Sequence, residues 1–149
     1  MSYCVCFFAP GIPAPAGSKR AFYIPKLNRS VITDACKRTK PWQSVVSACA
    51  REVYQGDPLT GAISLVVVFT MPRPKGHYGT GKNASRLKDS APAFVTVKPD
   101  IDKLSRAVLD ALTGICWRDD AQVVEKTARK IYGEKPGVWV EIMAERAKV

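Results

Sequence analysis

An α+β domain, a small mixed β-sheet packed with two main helices, is predicted from three observations. Residues 61–71, GAISLVVVFTM, form a nearly continuous β-branched run. Residues 41–56 and 101–115 each repeat apolar side chains at i, i+3, i+4. The first and last segments of the chain alternate apolar and polar residues as half-covered strands do. At 149 residues the chain is long enough for one core, so residues 1–149 are read as a single domain.

In order, residues 3–9 (YCVCFFA) predict a strand. The stretch has no positively charged start and breaks at Pro10, which favours a strand over a signal peptide. Residues 11–20, GIPAPAGSKR, form a Pro/Gly/Ala loop ending on Lys19 and Arg20. Residues 21–25 and 30–33 suit a small hairpin with LNR near its turn. Pro41 fits a first helical turn with Thr39 or Lys40 just outside it. Trp42, Val45, Val46, Cys49, Ala50 and Val53 then mark one helix face up to Gly56.

Residues 61–71 are predicted to be central in the sheet and covered on both sides. Residues 72–94 lack any period and hold three prolines, three glycines and five cations. A loop this long inside a compact domain is usually functional or disordered. The expectation is a basic flexible flap that orders on a phosphate backbone through Arg73, Lys75, Lys82, Arg86 and Lys88. Residues 95–98 read as extended, with Pro99 holding Lys98 out of helical geometry. Ile101, Leu104, Ala107, Val108, Ala111, Leu112 and Ile115 trace a helix, with Gly114 as its C-terminal cap. Residues 122–134 alternate, GEKPG turns, and VWVEIMAE alternates again, which predicts a terminal hairpin.

The formal charge is +10, unevenly spread. Residues 1–89 carry 13 Lys and Arg against 4 Asp and Glu, whereas residues 90–149 carry 10 against 9. The first part suits a polyanion, nucleic acid above all. No run is long and apolar enough for a membrane span, and a cytoplasmic protein is expected. Cys4, Cys6, Cys36, Cys49 and Cys116 are odd in number and contain no C-x-x-C pair, so five reduced thiols, mostly buried, are expected. A single histidine, His77, argues against a multi-histidine metal site.

Against this cationic background, Asp100 and Asp102 stand just before and within the start of the second helix, and Asp119 and Asp120 follow its end. One aspartate is explained as an N-cap; the others are not. Should the strand after the helix return beside it, three carboxylates would face one point, repel one another, and be relieved by a divalent cation. Oxygen ligands without His or Cys select Mg²⁺, with Mn²⁺ as substitute. Arg106, one turn beyond Asp102, and Lys103 beside it would offset charge on a reacting phosphate. Asp110 belongs to the solvated face, or to contacts with neighbouring cations. These residues put a metal-dependent phosphodiesterase ahead of a plain DNA-binding module.

K-P-D-I-D-K-L, then A-V-L-D-A-L-T-G, then W-R-D-D-A-Q-V-V resembles the signature of the RusA family of Holliday-junction resolvases, small enzymes frequent in phages and prophages. The likeness is strongest over residues 98–124 and extends more loosely to GIPAPAGSKRAF and YGEKPGVWVEI. It implies a RusA-like fold and a homodimer that binds four-way DNA junctions. It implies two symmetric Mg²⁺-dependent cuts, in a bacterial or phage-infected cell. By position, Asp100, Asp102 and Asp120 match the catalytic aspartates, with Asp119 the acidic neighbour. Lys103 stands where the family often has Asn, and Arg106 where it often has Lys. Lys19, Arg20 and Lys98 join the flap cations as expected DNA contacts. The rival readings are a metal-dependent nuclease on other branched or single-stranded DNA, a non-catalytic junction- or DNA-binding protein, and a structural protein whose aspartates are caps and ion pairs.

Overall fold

The computed structural model describes residues 2–17, 19–34 and 36–145. Its main sheet has four strands: β1 (Ser2–Pro10), β4 (Ile63–Met71), β5 (Val123–Tyr132) and β6 (Gly137–Glu145), in the order β1-β6-β4-β5. β6 is antiparallel to both β1 and β4, and β4 is parallel to β5. The sheet is therefore mixed, as predicted. β2 (Lys19–Ile24) and β3 (Arg29–Asp34) form a separate antiparallel hairpin. A 3-10 turn, Pro25–Leu27, and the left-handed Asn28 close that hairpin. The two helices are α1 (Thr39–Val53) and α2 (Ile101–Leu112).

Register shows which face of the sheet is covered. Val5 lies opposite Ile142, and Phe7 opposite Val140. Leu65 lies opposite Ile142, Val67 opposite Val140, and Phe69 opposite Val138. All are buried, and they join Trp42, Val46 and Ala50 of α1 and Leu104, Ala107, Val108, Ala111 and Leu112 of α2 in one core. Residues on the other face, Cys4, Cys6, Phe8, Trp139 and Met143, are exposed, and Val66 and Val68 are only half-buried. β4 is thus interior in strand order but covered on one side alone, with strict alternation along its length.

The predicted terminal hairpin is corrected. β6 does not pair with β5; β4 lies between them. Apolar β4 takes an inner position, while β5, with Glu125, Lys126 and Arg129 exposed, suits an edge. The connection crosses the end of β4 closely. Gly133 donates to the Met71 carbonyl at 3.2 Å. A Cβ on Gly133 would come within 2.7 Å of Thr70 Cγ2.

α1 begins earlier than predicted, with Arg38 at the N-cap, so Pro41 falls inside the first turn, where its missing N–H costs no intrahelical bond. α2 ends at Leu112 with Thr113 as C-cap, and Ile115 falls in the turn beyond. The cysteines also depart from expectation. All five are free thiols, but only Cys116 is buried, and burial pushes its pKa up to about 11. Cys4 and Cys6 are exposed on the uncovered face, with Sγ atoms 3.4 Å apart.

Candidate active site at the ends of helix α2

The N-terminal end of α2 is assembled from three directions. The loop after β1 lies across it: Ala14 and Ala16 are buried, the Ala16 amide donates to Lys103 O at 2.9 Å, and Thr39 Oγ1 of α1 donates to Pro15 O at 2.6 Å. α1 also holds the helix by its carbonyls, through Gln43 Nε2 to Ala107 O at 3.2 Å and Ser47 Oγ to Ala111 O at 2.9 Å. From the sheet, the C-terminal half of β5 binds the segment before the helix. Tyr132 N donates to Ala93 O at 3.0 Å, and Lys130 Nζ donates to Val97 O at 3.0 Å and Pro99 O at 2.8 Å.

Asp100 is the N-cap residue of α2, yet its side chain makes no capping hydrogen bond. The capping role that would account for this aspartate is therefore not performed by its carboxylate, which is exposed. Asp102, in the first turn, is exposed as well. Lys98, Pro99, Asp100 and Lys103 line a cavity of about 250 Å³ together with Pro15. Lys103 is half-buried and Lys98 exposed. Arg106 runs across Gly17, where an added Cβ would sit 2.7 Å from Nη1 and 3.0 Å from Cδ. With φ at +92°, Gly17 is favoured by backbone conformation, and its bare Cα lets the Arg106 side chain lie close over it.

The other acidic pair is built differently. Asp119 caps a short 3-10 turn, Asp120–Gln122, accepting from Ala121 N at 2.9 Å in a capping box. Gln122 locks this corner. Its Oε1 accepts from Arg118 N at 2.9 Å and Asp119 N at 3.0 Å, and its Nε2 donates to Leu59 O and Gly61 O, both at 3.0 Å. Asp119 thus has a structural task, whereas Asp120 is presented exposed on the same turn. Sequence reasoning assigned no role to Gln122 or Lys130. Only the Q of D-D-A-Q-V, three residues after a capping Asp, signalled the first.

The two pairs do not meet within one chain. Lys130, at the far end of β5, touches the backbone just before Asp100. Asp120 precedes the start of β5, and the stretch from Val123 to Lys130 spans about 23 Å at roughly 3.3 Å per residue. The turn after α2 is joined to Leu59, through Leu59 N to Cys116 O at 2.8 Å, and Gln122 binds Leu59 as well. Asp119 and Asp120 therefore lie at the C-terminal end of a helix about 18 Å long, and Asp100 and Asp102 at its N-terminal end. Among the described residues no group of three or more His, Cys, Asp and Glu is arranged to hold a metal ion. The donors fit a hard divalent cation in type, being exposed carboxylates at Asp100, Asp102 and Asp120, but each end offers only part of a set.

The flap stands at the N-terminal end of α2. It contains two 3-10 turns, Lys75–His77 and Gly81–Asn83, and a bridge between Tyr78 and Leu87. Arg73 anchors it by donating to Pro92 O at 2.6 Å and lying 5.1 Å over the Tyr132 ring, against which His77 packs edge-on. Lys75, Lys82, Arg86 and Lys88 are exposed, while Arg73 is half-buried in this anchor. The side chains of Lys19 and Arg20 lie outside the described residues; their backbone opens β2. Among the described residues no helix is long and apolar enough to cross a membrane.

The fold is thus a single-domain α+β one, with acidic residues at both ends of one helix beside a basic flap. A family model described as "Endodeoxyribonuclease RusA" matches residues 13–143. The chain belongs to the RusA endodeoxyribonuclease family. It is also 30% identical over 142 residues to "Uncharacterized protein YqaN" of Bacillus subtilis (strain 168), a match that covers 93% of this chain and 95% of that relative.

Proposed function

We propose that the protein is a Mg²⁺-dependent endonuclease that resolves four-way DNA junctions by paired symmetric cuts, acting as a homodimer. The observation that carries this reading is Asp100, a carboxylate at a helix N-cap that does no capping, in a cavity it shares with Lys98 and Lys103, with Asp102 exposed in the same first turn. Asp100 and Asp102 would hold the cation at one end, and Asp120 is the matching donor at the other. Bound there, Mg²⁺ or Mn²⁺ lowers the pKa of an attacking water and neutralises phosphate charge. Lys103 and Arg106 stabilise charge developing on the phosphate oxygens. The exposed flap cations, with Lys98, grip the backbone of a branched substrate, whose shape rather than sequence is recognised.

The separation of the carboxylates supports the dimer. With Asp100 and Asp102 at one end of α2 and Asp120 at the other, a second copy related by a two-fold axis is the simplest source of the missing ligand. Mixing subunits tests this together with the activity. Asp102→Asn and Asp120→Asn proteins should each be inactive on a synthetic four-way junction in Mg²⁺. If sites are shared, mixed dimers regain one intact site and nick one strand; if each chain holds its own complete site, mixing restores nothing. Wild-type protein that fails to cut a junction, or that cuts duplex equally well, overturns the resolvase reading.

A further inference from the structure

We propose that Lys130 is a positioning residue of the reaction, a side-chain clamp that sets the backbone from which Asp100 projects. The inference rests on the nuclease reading above and adds to it a residue of the edge strand, thirty positions from the aspartate it serves. Lys130 lies opposite Phe69 in the parallel register of β4 and β5, which aims it toward the helix side of the sheet. Its ammonium donates to Val97 O at 3.0 Å and Pro99 O at 2.8 Å. Its own carbonyl accepts from Val95 N at 3.4 Å. One residue thus holds the segment 95–99 by main chain and side chain together.

That segment needs an external hold. Val95 is buried in the core, but Val97 and Lys98 beyond it are exposed, so packing fixes the start of the segment and not the end that leads to Asp100. Pro99 has no N–H to contribute. The Asp100 side chain makes no capping bond that would orient the turn from within. From α2 itself, Leu104 N reaches back to Asp100 O at 3.1 Å, which ties the turn to the helix but not to the sheet. An ammonium is suited to the task. It carries three donors and no acceptor, spends two on the Val97 and Pro99 carbonyls, and leaves a positive charge beside the turn that carries Asp100. A lysine placed only for stability would serve the strand equally well, and the two roles separate by measurement.

The test compares Lys130→Met, which keeps the length of the stem and loses the donors, with Lys130→Arg, which keeps the charge and at least two donors. Three quantities are read: kcat and KM for junction cutting, junction affinity in EDTA, and residue-resolved amide exchange in metal-free protein. Lys130→Met should lower kcat about 10- to 100-fold, the cost of a small misplacement of a reacting group. KM and affinity in EDTA should stay unchanged. Exchange should accelerate at the amides of Val95 and Leu104 and not along β4. Lys130→Arg should recover most of the lost kcat and the protection. The clamp is overturned if Lys130→Met cuts at the wild-type rate with unchanged exchange. It is equally overturned if exchange rises uniformly through the sheet and kcat falls only as thermal stability falls. If Lys130→Met does not fold, a Lys130→Arg protein that folds with wild-type kcat and protection supports the clamp, and one that loses kcat with protection intact overturns it. If the wild-type protein cuts no junction, it is the nuclease reading that fails, and the local exchange pattern alone decides the clamp.

Discussion

The two ends of α2 carry the same residue types and use them in opposite ways. At the C-terminal end, Asp119 spends its carboxylate on a capping box and Gln122 spends its whole amide on four backbone groups, so the corner is rigid by local hydrogen bonding. At the N-terminal end, Asp100 occupies the capping position without capping, and the turn is held from outside by Lys130, by Ala16 and by α1. A carboxylate satisfied by its own backbone is ordinary structure. A carboxylate kept exposed at a helix N-terminus, where the helix field already favours negative charge, is available to a ligand. The contrast separates an aspartate engaged in capping from aspartates whose carboxylates stay available to a ligand.

The largest expected effect breaks this contrast directly. Asp100→Asn or Asp102→Asn should lower Mg²⁺-dependent cutting by at least about a hundredfold, the scale on which one preorganised electrostatic group commonly contributes. Junction binding by gel shift in EDTA should not weaken, because a charge that repels phosphate has gone. Asp120→Asn should do the same, whereas Asp110→Asn should leave cutting nearly intact. An Asp102→Asn protein that cuts normally, or one that loses binding and cutting together, would falsify the assignment.

The flap provides the next effect, at the N-terminal end only. Neutralising Lys82, Arg86 and Lys88 should reduce the slope of log affinity against log salt by about two to three, at roughly 0.9 for each phosphate that is no longer neutralised. Arg73→Gln should behave differently. Its guanidinium is committed to Pro92 O and the Tyr132 ring, so its loss should loosen the flap, seen as faster proteolysis of residues 72–94, with less change in slope. An unchanged slope in the triple variant removes the flap from the DNA interface.

A third effect belongs to the C-terminal end. Gln122→Leu deletes four hydrogen bonds at one corner and should destabilise the protein by about 2–6 kcal/mol, at roughly 0.5–1.5 kcal/mol for each. The check is denaturant unfolding. Asp100→Asn, by contrast, should shift stability by no more than about 0.5 kcal/mol, the usual range for an exposed substitution without a structural role. Equal losses for the two would erase the distinction between the ends.

Local patterning carried much of this into the sequence. The helical period of residues 101–112 and the β-branched run of β4 were legible because each depends on neighbours a few positions away. Strand partners were not. The alternation of β5 and β6 looks like a hairpin, and only competition for the centre of the sheet puts β4 between them. Nor can alternation tell which face of a sheet is covered, so Cys4 and Cys6 read as core and lie exposed. The aspartates were visible as a motif, but their separation along α2 follows from the direction of β5, which no local pattern encodes. Lys130 was illegible for the same reason: its partners lie 31 and 33 residues away.

The smallest effect sharpens the comparison most. Asp119 is adjacent to Asp120, and the family motif alone offers both as ligands. The geometry distinguishes them, since Asp119 Oδ1 already accepts from Ala121 N, and on the reading proposed above Asp120 alone is the ligand. Asp119→Asn retains a capping oxygen and should change stability by only a few tenths of a kcal/mol, whereas Asp119→Ala should cost about 1 kcal/mol. Both should cut junctions at close to the wild-type rate at temperatures well below unfolding. If Asp119 were instead a metal ligand, the order would reverse. Asn and Ala would then be about equally inactive, and the loss would appear in the cleavage assay with Asp119→Asn still fully stable. Measuring unfolding and cutting on the same two variants therefore decides whether the acidic pair is one ligand and one cap, or two ligands.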